Sequence, residues 1–284
     1  STWQSIFKQP KSWFDQFDVV ICDEVHTAVA KSLSGIMEKL TATPYRIGLT
    51  GTLSASKTNK LVLEGHFGPV NQVISTNELM TKNQIAQLKI KCLLLKYDQD
   101  TRKAVSKYSY QDEIDYLVTN PTRNKFIRNL TLSTTGNTLV LFTLVEKHGK
   151  KLYDMISAKA GDRKVFLVYG DVSAERREEI RALVAKEKDA IIIASYATYQ
   201  QGINVPSIEN IVFASPTKSK IRSLQSIGRG LRLNDGKTHC TLFDIADDLS
   251  WKKSKNHTLK HLTERLKIYS EEKFNFKIIE VPIE

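Results

Sequence analysis

Cysteine is scarce in this chain: three in 284 residues, Cys22, Cys92 and Cys240. So widely scattered, they exclude a disulfide framework, and with no close pair among them they exclude a zinc cluster. Each is read as a small buried residue in a strand, kept reduced. Glycine (13) and proline (7) are too few for a collagenous or low-complexity chain. With 41% hydrophobic and 26% charged residues, the composition is that of an ordinary folded protein. No apolar run approaches the roughly 20 residues that cross a bilayer, and the opening STWQSIFKQP has no apolar signal core. A soluble, intracellular protein without a membrane partner is therefore expected. Acids are in deficit, 31 against 42 Lys and Arg, and the resulting net charge of +11 suits a polyanion such as nucleic acid. The alternative is a merely soluble basic protein.

What the chain does have is alternation. Apolar, β-branched runs at 17–22, 45–50, 90–96, 138–143, 164–169, 190–195, 210–215 and 238–245 read as strands buried on both faces. Helical patterns lie between them at 32–40, 110–132, 146–159, 174–188, 219–231 and 257–270. Strand and helix in turn predict an α/β fold with parallel sheets covered by helices. The polar stretch STNELMTKNQ before IKCLLLK reads as a crossing between two such sheets, placing a boundary near residue 85. Domains are expected at 1–85, 86–250 and 251–284, the last a flexible basic loop and a C-terminal helix packed on the second domain. The chain opens on Ser1 and reaches a central-strand pattern within two dozen residues, so its start is expected to be a cut inside the first domain.

FDVVICDEVH is an apolar strand that ends in Asp23 and Glu24, with His26 two residues on. Ligands of open α/β sheets sit at the carboxyl ends of strands, so this strand delivers two acids to a site. An Asp there can hold the Mg²⁺ of a nucleotide through water, and the adjacent Glu can orient or deprotonate a water attacking the γ-phosphate. The plainer reading is an acidic pair capping the next helix. Further on, Gln225, Gly228, Arg229 and Arg232 form Q-x-x-G-R-x-x-R. Two arginines three apart share a helical face and can reach one phosphate, or simply solvate the helix.

DEVH, the Thr50–Gly51–Thr52 of GLTGTL, the Gly202–Pro206 loop of SYATYQQGINVP and QSIGRGLR, in this order and at these separations, resemble motifs II, III, V and VI of the superfamily 2 helicases. Within it, DEVH, KSKI, LQSIGRGLR and EEKFNF resemble the UvsW-type branched-DNA helicases of T4-like phages. The resemblance implies RecA-like parallel sheets flanked by helices: part of a first RecA-like domain, holding motifs II and III, and a complete second one. It implies ATP and Mg²⁺ as cofactors, DNA with forks, D-loops or junctions as substrate, a monomer, and the host cytoplasm if the source is a phage.

Carried over residue by residue, Asp23 and Glu24 match the Mg²⁺-holding and water-activating acids, and His26 the residue linking γ-phosphate status to the other domain. Thr50 and Thr52 match the coupling motif. Gln225, Arg229 and Arg232 match the γ-phosphate sensor and fingers, and Gly202 and Asn204 lie in the nucleotide-contacting loop. Thr143, Ser195 and Gly170 match positions along the nucleic-acid backbone, with Lys218 and Lys220 in a basic strip that continues it. Two rivals stand beside this: a duplex translocase of a restriction or remodelling system, and a non-catalytic nucleic-acid-binding or annealing module.

The sequence departs from the family in two places. Asn204 stands where many relatives carry Asp, which removes any charge-based role. More serious, no G-x-x-x-x-G-K-[ST] phosphate loop occurs anywhere in the chain. The one GKT, Gly236–Lys237–Thr238, has Leu231 where the earlier glycine belongs and precedes a strand; it reads as a hairpin turn. The phosphate loop is expected upstream of Ser1, leaving this chain alone inactive. His257 and His261 are four apart like metal ligands but lack a third, and read as a solvated helix face. Lys252, Lys253, Lys255 and Lys260 form a basic loop, facing DNA or merely solvated.

Overall fold

Parallel strands need helical crossovers and bury both faces, and the longest apolar runs of the sequence do both. The computed structural model describes residues 3–27, 31–51, 57–201, 207–216, 227–228, 231–233 and 237–283. They belong to two compact units, 1–73 and 74–284.

In the first unit, α1 (Trp3–Ile6), α2 (Lys11–Phe14), β1 (Val19–Cys22), α3 (Lys31–Lys39), β2 (Tyr45–Gly48) and α4 (Lys57–Phe67) follow in order. β1 and β2 pair in parallel, Val19 opposite Tyr45 through Cys22 opposite Gly48. Phe14, Ile36, Met37 and Leu40 form its core. Burial on both faces does not hold here. Val20 and Cys22 are partly buried, but Val19, Ile21, Tyr45 and Ile47 are between 45 and 65% exposed, because among the described residues of this unit no helix covers that face.

The second unit holds α5 (Thr76–Thr81), β3 (Gln87–Lys96), α6 (Gln99–Ala104), α7 (Tyr110–Thr119), α8 (Pro121–Ser133), β4 (Thr138–Phe142), α9 (Lys150–Ser157) and β5 (Val165–Val168). After them come α10 (Ala174–Lys186), β6 (Ile191–Ser195), α11 (Tyr196–Gln201), β7 (Asn210–Phe213), β8 (His239–Asp248), α12 (His257–Glu271) and β9 (Asn275–Pro282). Its seven strands lie in the order β5-β6-β4-β7-β8-β3-β9, all parallel. Leu139, Leu141, Ile192 and Ala194 point into one core layer, and Val140, Phe142, Ile191 and Ile193 into the other. β4, β6 and β7 are buried along their whole length, as their unbroken apolar sequences predict.

Four expectations change. The unit boundary falls at 73/74 rather than near 85: Met80 of α5 is buried in the second unit's core and Ala86 N donates to Leu231 O at 2.8 Å. The helix expected over 110–132 is two, because the residue before Pro121 is driven out of the helical region. Asn120 adopts ψ 118° and caps α8 by accepting from Arg123 N. No hairpin joins β7 to β8, which are parallel; of the GKT, Gly236 lies outside the described residues, and Lys237 and Thr238 lead directly into β8, Thr238 O accepting from Gln87 N. The C-terminal region adds β9, which joins the edge of the sheet beside β3.

β8 clamps helices on both of its faces. Arg123 of α8 donates to Asp247 through Nε (2.8 Å) and Nη2 (3.0 Å), with Tyr97 Oη on the same carboxylate at 2.9 Å. Arg265 of α12 donates to Asp244 through Nε and Nη2, both 2.8 Å, joined by Tyr269 Oη at 2.9 Å. All four charged groups are buried, so each pair is held by forked, charge-assisted hydrogen bonds inside the core. Asp244 and Asp247 stand three residues apart on β8, so alternation points the two carboxylates to opposite sides.

Candidate functional site

β1 ends at Cys22, and the chain then turns sharply: Glu24 takes φ +50°, a left-handed value that costs a branched or acidic residue about 1–2 kcal/mol. The turn is held by Glu24 N donating to Asp23 Oδ1 at 2.8 Å and by Val25 N donating to Leu49 O at 2.9 Å. Leu49 N in turn donates to Cys22 O at 2.9 Å, so the exits of β1 and β2 are stitched together. Asp23 and Glu24 are exposed and His26 is largely covered. His26 Nδ1 lies 2.9 Å from Thr50 Oγ1 and 3.1 Å from Glu24 Oε2. A carboxylate only accepts, so Nδ1 carries the proton shared between them. Thus Asp23, Glu24, His26 and Thr50 come together at the adjoining exits of β1 and β2. Burial and the neighbouring Asp23 charge push the Cys22 thiol up, which keeps it out of thiolate chemistry.

In the second unit, Thr143, Gly170 and Ser195 leave three different strands, β4, β5 and β6, and line one cavity of about 370 Å³. Sequence reasoning missed Tyr169, Asp171, Tyr196 and Thr198 in the same lining. Their signal is only proximity to those strand ends. Ser195 Oγ accepts from Thr198 N at 3.2 Å and lies 2.8 Å from Thr198 Oγ1, closing the first turn of α11. A Cβ on Gly170 would meet nothing within 4 Å, so the glycine leaves open space beside the cavity.

Behind the cavity stands a buried polar chain. Gly149 N donates to Leu144 O at 2.9 Å, a π turn over Val145–Gly149 that carries His148 inward. His148 Nε2 lies 3.1 Å from Asn124 Oδ1 and Nδ1 lies 3.0 Å from Ser215 Oγ. Asn124 Nδ2 donates to Val118 O, which leaves its Oδ1 to accept from Nε2–H; Nδ1 is then the acceptor of the Ser215 hydroxyl. Burial, with Arg123 nearby, pushes His148 down to about 3, so it is neutral.

Arg232 is exposed and follows Leu231, which is buried and whose N–H donates to Ile227 O and Gly228 O. Thr52, Gly202, Asn204, Lys218, Lys220, Gln225 and Arg229 lie outside the described residues. His257 and His261 are not a solvated face: both rings pack on Tyr110, and no group of three metal-ligating residues occurs among the described residues. No helix among them is long and apolar enough to cross a membrane.

Residues 122–234 match the family model of the helicase conserved C-terminal domain, and residues 1–55 that of the type III restriction enzyme res subunit. The chain is 36% identical to the ATP-dependent DNA helicase uvsW of Enterobacteria phage T4 over 97% of its own length and 57% of that protein's. The chain belongs to the superfamily 2 helicases. The structure of T4 UvsW overlays on 99% of this helicase chain and 57% of its own at TM-score 0.60 and 33% identity. A type ISP restriction-modification enzyme, LlaBIII, bound to DNA, shares the fold at TM-score 0.69 and 16% identity, over all of this chain and 23% of its own. The helicase chain spans just over half the length of the curated relatives it matches first, including the transcript termination protein A18 of Yaba-like disease virus, 25% identical over 95% of this chain and 56% of that protein.

Proposed function

We propose that this chain is the greater part of the motor of an ATP-dependent DNA helicase acting on branched DNA such as forks, D-loops and junctions in recombination, repair and replication. The observation that carries the reading is a site at strand exits within each unit: Asp23, Glu24, His26 and Thr50 in the first, and the Thr143–Gly170–Ser195 cavity in the second.

The residues present fit a Mg²⁺-nucleotide, since Asp23 and Glu24 are exposed carboxylates beyond a parallel strand's carboxyl end. Asp23 would hold Mg²⁺ through water, and the ion supplies charge neutralisation on the phosphates. Glu24 orients and accepts a proton from the attacking water. His26, bonded to both Glu24 and Thr50, passes the state of that carboxylate to the segment holding Thr50 and Thr52. Gln225, Arg229 and Arg232 meet the γ-phosphate, with Gly202 and Asn204 beside the nucleotide. In the cavity, Thr143, Gly170 and Ser195 take the DNA backbone, which Lys218 and Lys220 extend. The protein works as a monomer in the cytoplasm. With no phosphate loop among the 284 residues, the chain alone is expected to hydrolyse ATP at background rate.

A forked, end-labelled DNA given to the full-length protein tests this. Strand displacement that requires ATP and Mg²⁺ is expected. ATP-driven movement along duplex without strand separation would favour the translocase reading, to which the restriction-subunit match over 1–55 points, and DNA binding without turnover would make it an annealing module.

A further inference from the structure

Because all strands of the second unit are parallel, β8 exits at the same edge of the sheet as the cavity, three strands from β6. At a strand spacing of about 4.8 Å this is roughly 14 Å, a span that about four nucleotides cover at 3.4 Å each. The segment leaving β8 was expected to be flexible, and it is tied down. Trp251 N donates to Ser254 O at 3.1 Å and Ser254 N to Trp251 O at 3.0 Å, closing a tight turn with Lys252 (φ +53°) and Lys253 at its tip. Asn256 anchors the turn's base: its Oδ1 accepts from Leu249 N at 3.0 Å, and its Nδ2 donates to Asp247 O at 3.1 Å and Glu113 Oε1 at 2.8 Å.

Glu113 of α7 also accepts from His257 N, Thr258 N and Thr258 Oγ1 at 2.8, 2.7 and 2.6 Å. This draws the start of α7 against the start of α12 and wedges the Tyr110 ring onto His257 and His261, centroids 6.0 and 5.4 Å away. Tyr110 remains 45% exposed, and Tyr108, packed on Tyr116, 39% exposed. The carboxylates here are already committed: Glu113 as above, Asp112 to Ser109, and Asp248 to Lys96 and Ser250. Lys252, Lys253 and Lys255 are exposed, and no ion pair among the described residues involves them.

We propose that this patch binds single-stranded nucleic acid, with Lys252, Lys253 and Lys255 on phosphates and Tyr110, flanked by Tyr108, as a stacking platform for a base. It rests on the reading of the Thr143–Ser195 cavity as a backbone site and extends that track along the sheet edge. Exposed aromatic rings beside unpaired cations are what a base with its phosphate requires, and stacking serves any base because each has a π face. The ring is fixed before binding, so little side-chain freedom is lost on contact.

Fluorescence anisotropy of labelled dT20 with residues 1–284, over 50 to 200 mM salt, tests the patch. Lys252→Asn, chosen because asparagine tolerates positive φ, combined with Lys253→Gln and Lys255→Gln, is expected to weaken binding and to flatten the log Kd against log salt slope by about 2. Tyr110→Ala is expected to weaken dT20 binding about tenfold with the salt slope unchanged, and Tyr110→Phe to retain it. Tyr110→Ala should leave a 20-base-pair duplex nearly unaffected. Unchanged dT20 affinity in both sets, while Ser195→Ala still weakens binding, overturns the patch and spares the cavity. Equal losses on dT20 and duplex overturn the stacking role, and failure of the unaltered chain to bind dT20 overturns patch and cavity together.

Discussion

Ser215 Oγ lies 3.0 Å from His148 Nδ1 and accepts the Thr143 backbone N–H at 3.1 Å. One hydroxyl thus fixes the exit of β4 and the exit of β7 to a neutral imidazole. Above the ordinary histidine range near 6.5, His148 is neutral folded or unfolded and pH does not act through it. Below that, the unfolded chain takes a proton that the folded one refuses, so stability falls as pH falls, until about pH 3 where the folded site also protonates. The expected slope is about 1.4 kcal/mol per pH unit. Urea unfolding of the second unit between pH 7 and 5 should show it, and His148→Gln should remove most of it. Glu113 and Asp248, held below the usual carboxylate range by their hydrogen bonds and by Lys96, lose their stabilising effect only on further acidification.

The two arginine–aspartate pairs on β8 are expected to be costly to break singly. Arg265→Met leaves the Asp244 carboxylate buried with Tyr269 alone and should destabilise the second unit by about 3–5 kcal/mol. Adding Asp244→Asn should recover part of that loss. A double variant no more stable than Arg265→Met, by denaturant midpoint, would show that packing and not charge sets the cost.

Gly149 sits where a Cβ would come within 2.4 Å of the Phe142 ring. Gly149→Ala should therefore destabilise by about 1–3 kcal/mol although alanine favours helix. Gly170→Ala, with nothing within 4 Å, should change stability little and serves as the control.

On the proposed function, catalysis and binding are expected to separate in the full-length protein. Glu24→Gln keeps size and hydrogen bonding but accepts no proton, so ATP should bind and hydrolysis should collapse. Arg232→Ala should cost roughly 10³–10⁵ in turnover if its charge meets the transferring phosphoryl group. Both variants should stay folded and bind branched DNA without nucleotide; near-normal ATP turnover in either removes that residue from the site.

The larger sheet was legible because runs such as TLVLF and IIIAS are apolar throughout, as suits strands covered on both faces. β9 was not, since NFKIIEVP mixes charges into an edge strand that solvent partly reaches. The first unit misled for a related reason: VVIC and YRIG look like central strands, yet Ile21 and Tyr45 are more than 60% exposed. Asp23, Glu24 and His26 drew attention by their adjacency at a strand end, whereas Thr143, Gly170 and Ser195 entered only as positions that the family resemblance implies. His148, Asn124 and Ser215 could not, because a π turn and three separate segments build that chain, and nothing in their spacing records it. Asp244 and Asp247 look like surface acids in FDIADD, and only Arg123 and Arg265 from distant helices make burial tolerable.

The single direction of the seven strands also decides where the molecule accepts a probe. Thr143, Gly170, Ser195 and the lysine turn after β8 all follow a strand's carboxyl end, so the turns that lead into those strands lie at the opposite end of the sheet. Asp162, exposed in the turn before β5, is such a place. The native thiols compete poorly there: Cys92 and Cys240 are buried, with burial pushing Cys240 up to about 12, and Cys22 is partly covered. A maleimide dye on Asp162→Cys would thus report on the second unit from the side that substrate does not touch, leaving single-molecule observation compatible with an unobstructed track.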